Sequence, residues 1–288
     1  RRQLQGYSVC EANLGQCYVD TLICSSNMSV FDWLFRGKSL SRIARKAGYT
    51  KDQIGIQSRF VRERDNWTPH LEQTKNYILE TAQNVEQKHS VAVLGSGWLL
   101  DVPLTELSEQ FDEVYLFDIV HPEQIVVKTK KFPNVHLVEA DLTYGAVAIA
   151  EQKTSFEDFL TAFLNVTPAL DLNQYDFVVS VNILNQLDII LCDYLKEKFR
   201  VSEQQLLPIR ETVQQRHVDA LPRGKTCLVT DYREENISAK DSVMSTKELL
   251  HCQLPVHTFE REWQWIFDRS QMYRKGHDTT MKVRAMFL

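Results

Sequence analysis

The sequence contains no apolar run approaching the roughly 20 residues that cross a bilayer. The stretch near the start that comes closest, Tyr18 to Cys24, is short and carries Asp20. It also lacks the basic-then-apolar order of a secretory leader. These absences predict a cytoplasmic protein with no membrane partner. An excess of basic residues is missing too, since 33 Lys and Arg face 38 Asp and Glu, for a net charge of −5. General nucleic-acid binders draw most of their affinity from neutralising phosphates, so there is no clear nucleic-acid signature. The local clusters Arg59, Arg62, Arg64 and Lys128, Lys130, Lys131 fall in segments of helical character and read as solvated helix faces. Close cysteine pairs are absent as well. The six cysteines, at 10, 17, 24, 192, 227 and 252, form no C-x-x-C pair, and the spacing of seven among the first three matches no zinc pattern. Reduced thiols and no metal site are expected; Cys192 and Cys227 read as small hydrophobes.

What remains is an ordinary globular composition, 43% hydrophobic and 25% charged over 288 residues. That length accommodates one large domain plus a smaller element. Residues 1–27 lack periodicity and are expected to be a poorly ordered extension, with Met28-Ser29-Val30 a natural start for the pattern that follows. Residues 28–88 are expected to form a helical N-terminal cap. Phe31, Leu34 and Phe35, then Leu40, Ile43, Ala44 and Ala47, recur at helical spacing until Gly48. A second helix is expected from Thr50 to about Arg64. A third is expected to start at Thr68-Pro69, a capping residue followed by proline in the first turn.

From residue 89 to 288 the period changes. Ser90–Leu94, Glu113–Phe117, Val135–Glu139, Phe177–Val181 and Lys225–Thr230 read as buried strands. They alternate with helical segments at Glu123–Lys131, Phe156–Leu164, Ile183–Phe199 and Leu206–Ala220. Such alternation implies right-handed βαβ units and a parallel sheet. His257–Asp268 and Thr279–Leu288 follow with no helix between them and are expected to pair antiparallel. The expected fold is α/β: a doubly wound, mostly parallel seven-stranded sheet with an antiparallel C-terminal strand.

Three features lie at successive strand ends. Gly95-Ser96-Gly97 follows the first strand, where glycine lets a backbone approach a ligand closely. Asp118 closes the second, about 20 residues on, at the spacing of an acid that binds ribose hydroxyls. Asp141-Leu142 follows the third, at the carboxyl edge where open α/β sheets bind ligands. Together they suit an adenosine-bearing cofactor. Leu100 stands where a dinucleotide site wants a third glycine, and Pro103 implies a longer loop than a pyrophosphate turn, which favours S-adenosylmethionine over nicotinamide.

With Val91-Ala-Val-Leu-Gly-Ser-Gly97, Asp118, Asp141-Leu142 and Tyr175-Asp-Phe-Val-Val-Ser-Val-Asn182, the sequence resembles the class I S-adenosylmethionine-dependent methyltransferases over roughly residues 67–288. The antiparallel last two strands are that family's topological mark. The resemblance implies S-adenosylmethionine as cofactor, held by Gly95, Ser96, Gly97, Asp118, Ile119, Asp141, Leu142 and Ser180. It implies methyl transfer to an unidentified acceptor, a small molecule or protein rather than a nucleic acid, oriented by Asn182 and Asn185. Gln186, Asp231 and Tyr232 are further candidates for acceptor contact, and Asn182 is also a candidate cap for a helix starting at Ile183. Two departures stand out. Trp98-Leu99-Leu100 replaces the usual third small residue of the first motif. Ser180-Val-Asn-Ile-Leu-Asn185 replaces the Asn/Asp-Pro-Pro-aromatic tetrad of base amino-group methylators. A methyltransferase-like binding module without catalysis and an NAD(P)-dependent oxidoreductase are the competing expectations. Oligomeric state is not legible.

Overall fold

The computed structural model describes residues 42, 44–166, 170–238 and 244–288. The expected extension at 1–27 and the helical pattern from Phe31 to Ile43 lie outside the described residues, apart from Arg42.

A single eight-stranded sheet organises the described chain. Strands β1 (Ser90–Leu94), β2 (Glu113–Asp118), β3 (Val135–Glu139), β4 (Phe177–Val181) and β5 (Thr226–Ser238) carry the parallel part. β6 (Met244–Glu248), β7 (Thr258–Asp268) and β8 (His277–Phe287) add antiparallel pairings. The order is β3-β2-β1-β4-β5-β8-β7, with β6 on the far half of β5. The order reverses between β1 and β4, so the crossovers diverge there and open a crevice at the carboxyl edge. The expectation of seven strands misses β6, whose five residues are all exposed and so show no burial alternation.

Alternate strand residues feed two cores, as a pleat covered on both sides requires. Ala92, Leu94, Val178 and Leu228 face one, which is completed by α4 (Ala146–Gln152), α5 (Phe156–Leu164), α6 (Ile189–Phe199) and α7 (Glu203–Ala220). Val91, Val93, Val179 and Val229 face the other, against α1 (Tyr49–Ala82) and α2 (Leu104–Gln110). Each fully buried Val or Leu contributes about 1.5–3 kcal/mol, which fixes strand register firmly on both faces. α3 (Glu123–Thr129) adds Ile125 to the second core.

Two expected boundaries move. The helices expected on either side of Thr68-Pro69 are one long element, broken instead at Glu63 (φ −106°, ψ 20°), with Pro69 inside its second half. The buried Glu63 carboxylate accepts the Arg269 and Ser270 N–H groups at 3.2 and 3.0 Å, so the break is anchored to the β7–β8 connection. The single helix expected over Ile183–Phe199 is a 3₁₀ turn, Leu184–Gln186, followed by α6 from Ile189. No helix of the described residues is long and apolar enough to cross a membrane.

Candidate functional site

A cavity of about 360 Å³ opens at the carboxyl edge, between the β1/β4 reversal and α1. Gly95 (φ 80°) and Gly97 (φ 43°) turn the chain after β1 into its wall. A Cβ at Gly95 would lie 2.7 Å from the Ile183 Cβ, so glycine is required there by packing against the chain leaving β4. The Gly97 N–H donates to Asp118 Oδ2 at 2.7 Å, and the Ile119 N–H to Oδ1 at 2.8 Å. Burial raises the Asp118 carboxyl above the usual carboxylate range, opposed by the Gly97 hydrogen bond. The Gln53 amide of α1 also donates to Asp118 Oδ1, at 3.2 Å, and the Trp98 indole donates to the Gln53 carbonyl at 2.7 Å. The glycine turn and α1 are therefore tied together across the cavity.

Asp141, after β3, accepts the Thr143 N–H at 2.8 Å and its hydroxyl at 2.5 Å on Oδ1. Its Oδ2 is buried without a partner, and so is Ser96 Oγ. Buried acceptors left unpaired cost about 1–3 kcal/mol each, so such atoms are matched by a ligand donor at a binding site. Leu142 lines the same wall.

Asn182 ends β4 in the left-handed region (φ 49°) and donates to Asp101 Oδ2 at 2.7 Å. It does not cap a helix, because α6 starts at Ile189 behind Asp188. Its own carbonyl accepts the Gln186 side chain at 2.7 Å, which occupies that amide. His70 lies 3.3 Å from the Asn182 amide, stacks on Trp265 with centroids 4.1 Å apart, and accepts the Trp263 indole N–H on Nδ1 at 3.0 Å. Burial lowers its pKa to about 3, so His70 is neutral. Asn185 Oδ1, Asn182 Oδ1 and Asp231 Oδ1 are buried and unpartnered, and all three residues line the cavity.

The structure thus gathers Gly95, Ser96, Gly97, Asp118, Ile119, Asp141, Leu142, Asn182 and Asn185 around one space, together with Asp231. It does not bring Ser180 there. The Ser180 hydroxyl is buried against His217 of α7, 2.8 Å away, on the far side of β4 from the cavity residue Val181. Tyr232 is also outside, with its hydroxyl directed to Glu262. Sequence reading misses Gln53, His70 and Asp101, which reach the site from α1 and the loop after β1. Their only sequence signal is polarity within apolar surroundings. The loop from Trp98 to Val102 separates the glycine turn from α2, so no helix N-terminus stands behind that turn as a pyrophosphate site requires. Among the described residues no group of three or more His, Cys, Asp or Glu is placed to hold a metal ion.

No protein-family profile matches the sequence, and no curated protein matches it. Solved structures similar to the chain include the DhpI–SAH complex, 14% identical over 81% of this chain and 93% of that one, with a TM-score of 0.35. A second is Burkholderia thailandensis 1,6-didemethyltoxoflavin-N1-methyltransferase with bound 1,6-didemethyltoxoflavin and S-adenosylhomocysteine. It is 11% identical over 82% of this chain and 87% of that one, with a TM-score of 0.37. A third is coclaurine N-methyltransferase with N-methylheliamine and SAH, 9% identical over 75% and 70%, with a TM-score of 0.35. The strand order, with its reversed terminal strand, is that of the class I S-adenosylmethionine-dependent methyltransferase fold.

Proposed function

We propose that the protein is an S-adenosylmethionine-dependent methyltransferase whose acceptor is a small molecule or a protein. One observation carries this reading. A single cavity joins the Gly95–Gly97 turn, Asp118 and the unpartnered Asp141 Oδ2 to the amides and carboxyls that follow β4 and β5. The residues fit the cofactor. Asp141 Oδ2 suits the adenine amino group, Asp118 suits the ribose hydroxyls, and Ser96 Oγ suits a polar tail. When bound, the cofactor supplies an electrophilic sulfonium methyl group. The chain's task is to align an acceptor with that methyl and exclude water, and alignment can lower a barrier by about 7–11 kcal/mol. Asn182 and Asn185 orient the acceptor from the end of β4.

Isothermal titration calorimetry with S-adenosylmethionine tests the reading, and saturable binding is expected. Asp118→Ala should weaken it by about 1–3 kcal/mol, roughly 5- to 150-fold, because two hydroxyl partners go unpaired. No heat at millimolar cofactor ends the proposal. Transfer of a labelled methyl group into protein, nucleic-acid or small-molecule fractions of a cell extract then locates the acceptor. Binding without transfer into any fraction would favour the binding-module reading, for which the Trp98-Leu99-Leu100 departure from the first motif is the supporting observation.

A further inference from the structure

The cavity has an acidic end that cofactor binding leaves unused. Asp231 is 2% exposed and its Oδ1 has no partner; Asn185 beside it is 7% exposed, and its Oδ1 also has none. The β5–β8 register shifts between Asp231 and Arg233, so Tyr232 is a bulge. On a regular strand Asp231 and Glu234 would face opposite sides; the bulge turns both into the cavity. Asp101 contributes a second carboxyl from the loop after β1, near enough to raise the Asp231 pKa electrostatically.

The charges around these acids do not pair with them, although Lys247, on the exposed β6, lines the same cavity. Glu234 is paired with Arg274 at 3.0 Å. The Arg59 guanidinium lies over the Phe267 and Tyr273 rings, at 4.8 and 5.1 Å from their centroids. Lys75 acts on Asp101 only at a distance. His70, 3.3 Å from the Asn182 amide, is held neutral by burial and by the Trp263 indole on Nδ1. Among the described residues neither Asp101 nor Asp231 makes an ion pair. Buried carboxylates without a counter-charge are costly, and a ligand cation relieves that cost. The adjoining wall, Trp265 and Phe267, is aromatic and buried and suits an apolar body.

Building on the methyltransferase reading, we infer that the acceptor is a primary or secondary amine with an apolar body, which enters as its ammonium and is held by Asp101 and Asp231. An ammonium has no lone pair and must lose a proton before it can accept a methyl group. That proton passes to Asp231 Oδ1. Burial first, and the neighbouring Asp101 second, push this carboxyl up to about 7, where it can take a proton near neutral pH. The freed nitrogen pair forms the N–C bond as the C–S bond breaks, and that bond's electron pair stays on sulfur. The products are a methylated ammonium and a neutral thioether, and Asp231 returns its proton to water as the product leaves.

The test is titration of the protein saturated with S-adenosylhomocysteine, followed by calorimetry, using phenethylamine and tryptamine against phenethyl alcohol and hydrocinnamate. Both amines should bind at least about ten-fold tighter than the alcohol, the difference made by one desolvated charge pair. Asp231→Asn and Asp101→Asn should each remove most of that preference while S-adenosylhomocysteine affinity, which also reports folding, is retained. Equal affinity for amine and alcohol in the saturated protein, or an amine preference that survives both substitutions, overturns the amine acceptor and leaves the cofactor reading standing. Failure to bind S-adenosylhomocysteine at all overturns both.

Discussion

Burial lifts the Asp231 carboxyl from 3.8 to about 7, with Asp101 adding to the shift. A raised carboxyl pKa means that the folded state holds the proton more tightly than the unfolded chain does. The resulting stability is present below the unfolded value and is lost as pH rises through about 7. Asparagine does not titrate. The melting temperature of Asp231→Asn, relative to the unmodified protein, should therefore rise from about pH 5 to about pH 8 and level off above that. His70 and His217, lowered to about 3 and about 4 by burial, destabilise both proteins equally on acidification and cancel from the difference. A pH-independent difference would show that the carboxyl is not raised. At this scale the sequence revealed the acids that terminate strands, Asp118 and Asp141, because a polar residue after an apolar run is conspicuous. Asp231 had the same signal. Ser180 did too, and it misled, since the pleat points its hydroxyl to His217 and the other core. Asp101, His70 and Gln53 were not legible because their role depends on which segments meet in space.

Elements with a buried stripe were legible, and those without one were not. β1, β3 and β4 fall at the residues their apolar runs mark. The outer half of β5, Asp231 to Ser238, lies beyond the Lys225–Thr230 strand that the apolar run marks, yet it pairs with both β6 and β8. α4 begins behind Gly145 with no side-chain cap, so it carries no start signal, whereas the capping box of Ser202 and Gln205 opens α7 three residues before the expected Leu206. α1 shows a mechanical consequence of the same rule. Its buried residues run from Glu63 to Ala82, and none lies earlier. Amide exchange should accordingly divide at Glu63, with Trp67 to Ala82 exchanging only through global unfolding. Tyr49 to Arg62 should exchange faster through local opening. Hydrogen exchange by mass spectrometry checks this; uniform protection across the kink would mean that α1 opens as one unit.

Across the whole molecule, that weakly held half-helix closes the cavity built by the sheet edge. Three hydrogen bonds through Gln53 join them: its amide donates to Asp118 Oδ1 at 3.2 Å and to the Val120 carbonyl at 2.9 Å, and the Trp98 indole donates to its backbone carbonyl at 2.7 Å. Asp118 already accepts from Gly97 and Ile119, so ribose hydroxyls and the Gln53 amide compete for what remains of its hydrogen-bonding capacity. On the proposed function, Gln53 belongs to the closed, unliganded arrangement, and binding must displace it. Removing one such hydrogen bond is worth about 0.5–1.5 kcal/mol. Gln53→Ala should therefore bind S-adenosylhomocysteine roughly 2- to 12-fold tighter while melting slightly lower without ligand. At one fixed ligand concentration its ligand-induced rise in melting temperature should exceed that of the unmodified protein, because stabilisation grows with the ratio of ligand to Kd. Thermal unfolding with and without S-adenosylhomocysteine measures both quantities in one experiment. Weaker binding by Gln53→Ala would reverse the assignment, making Gln53 a ligand contact and the first half of α1 part of the binding site itself.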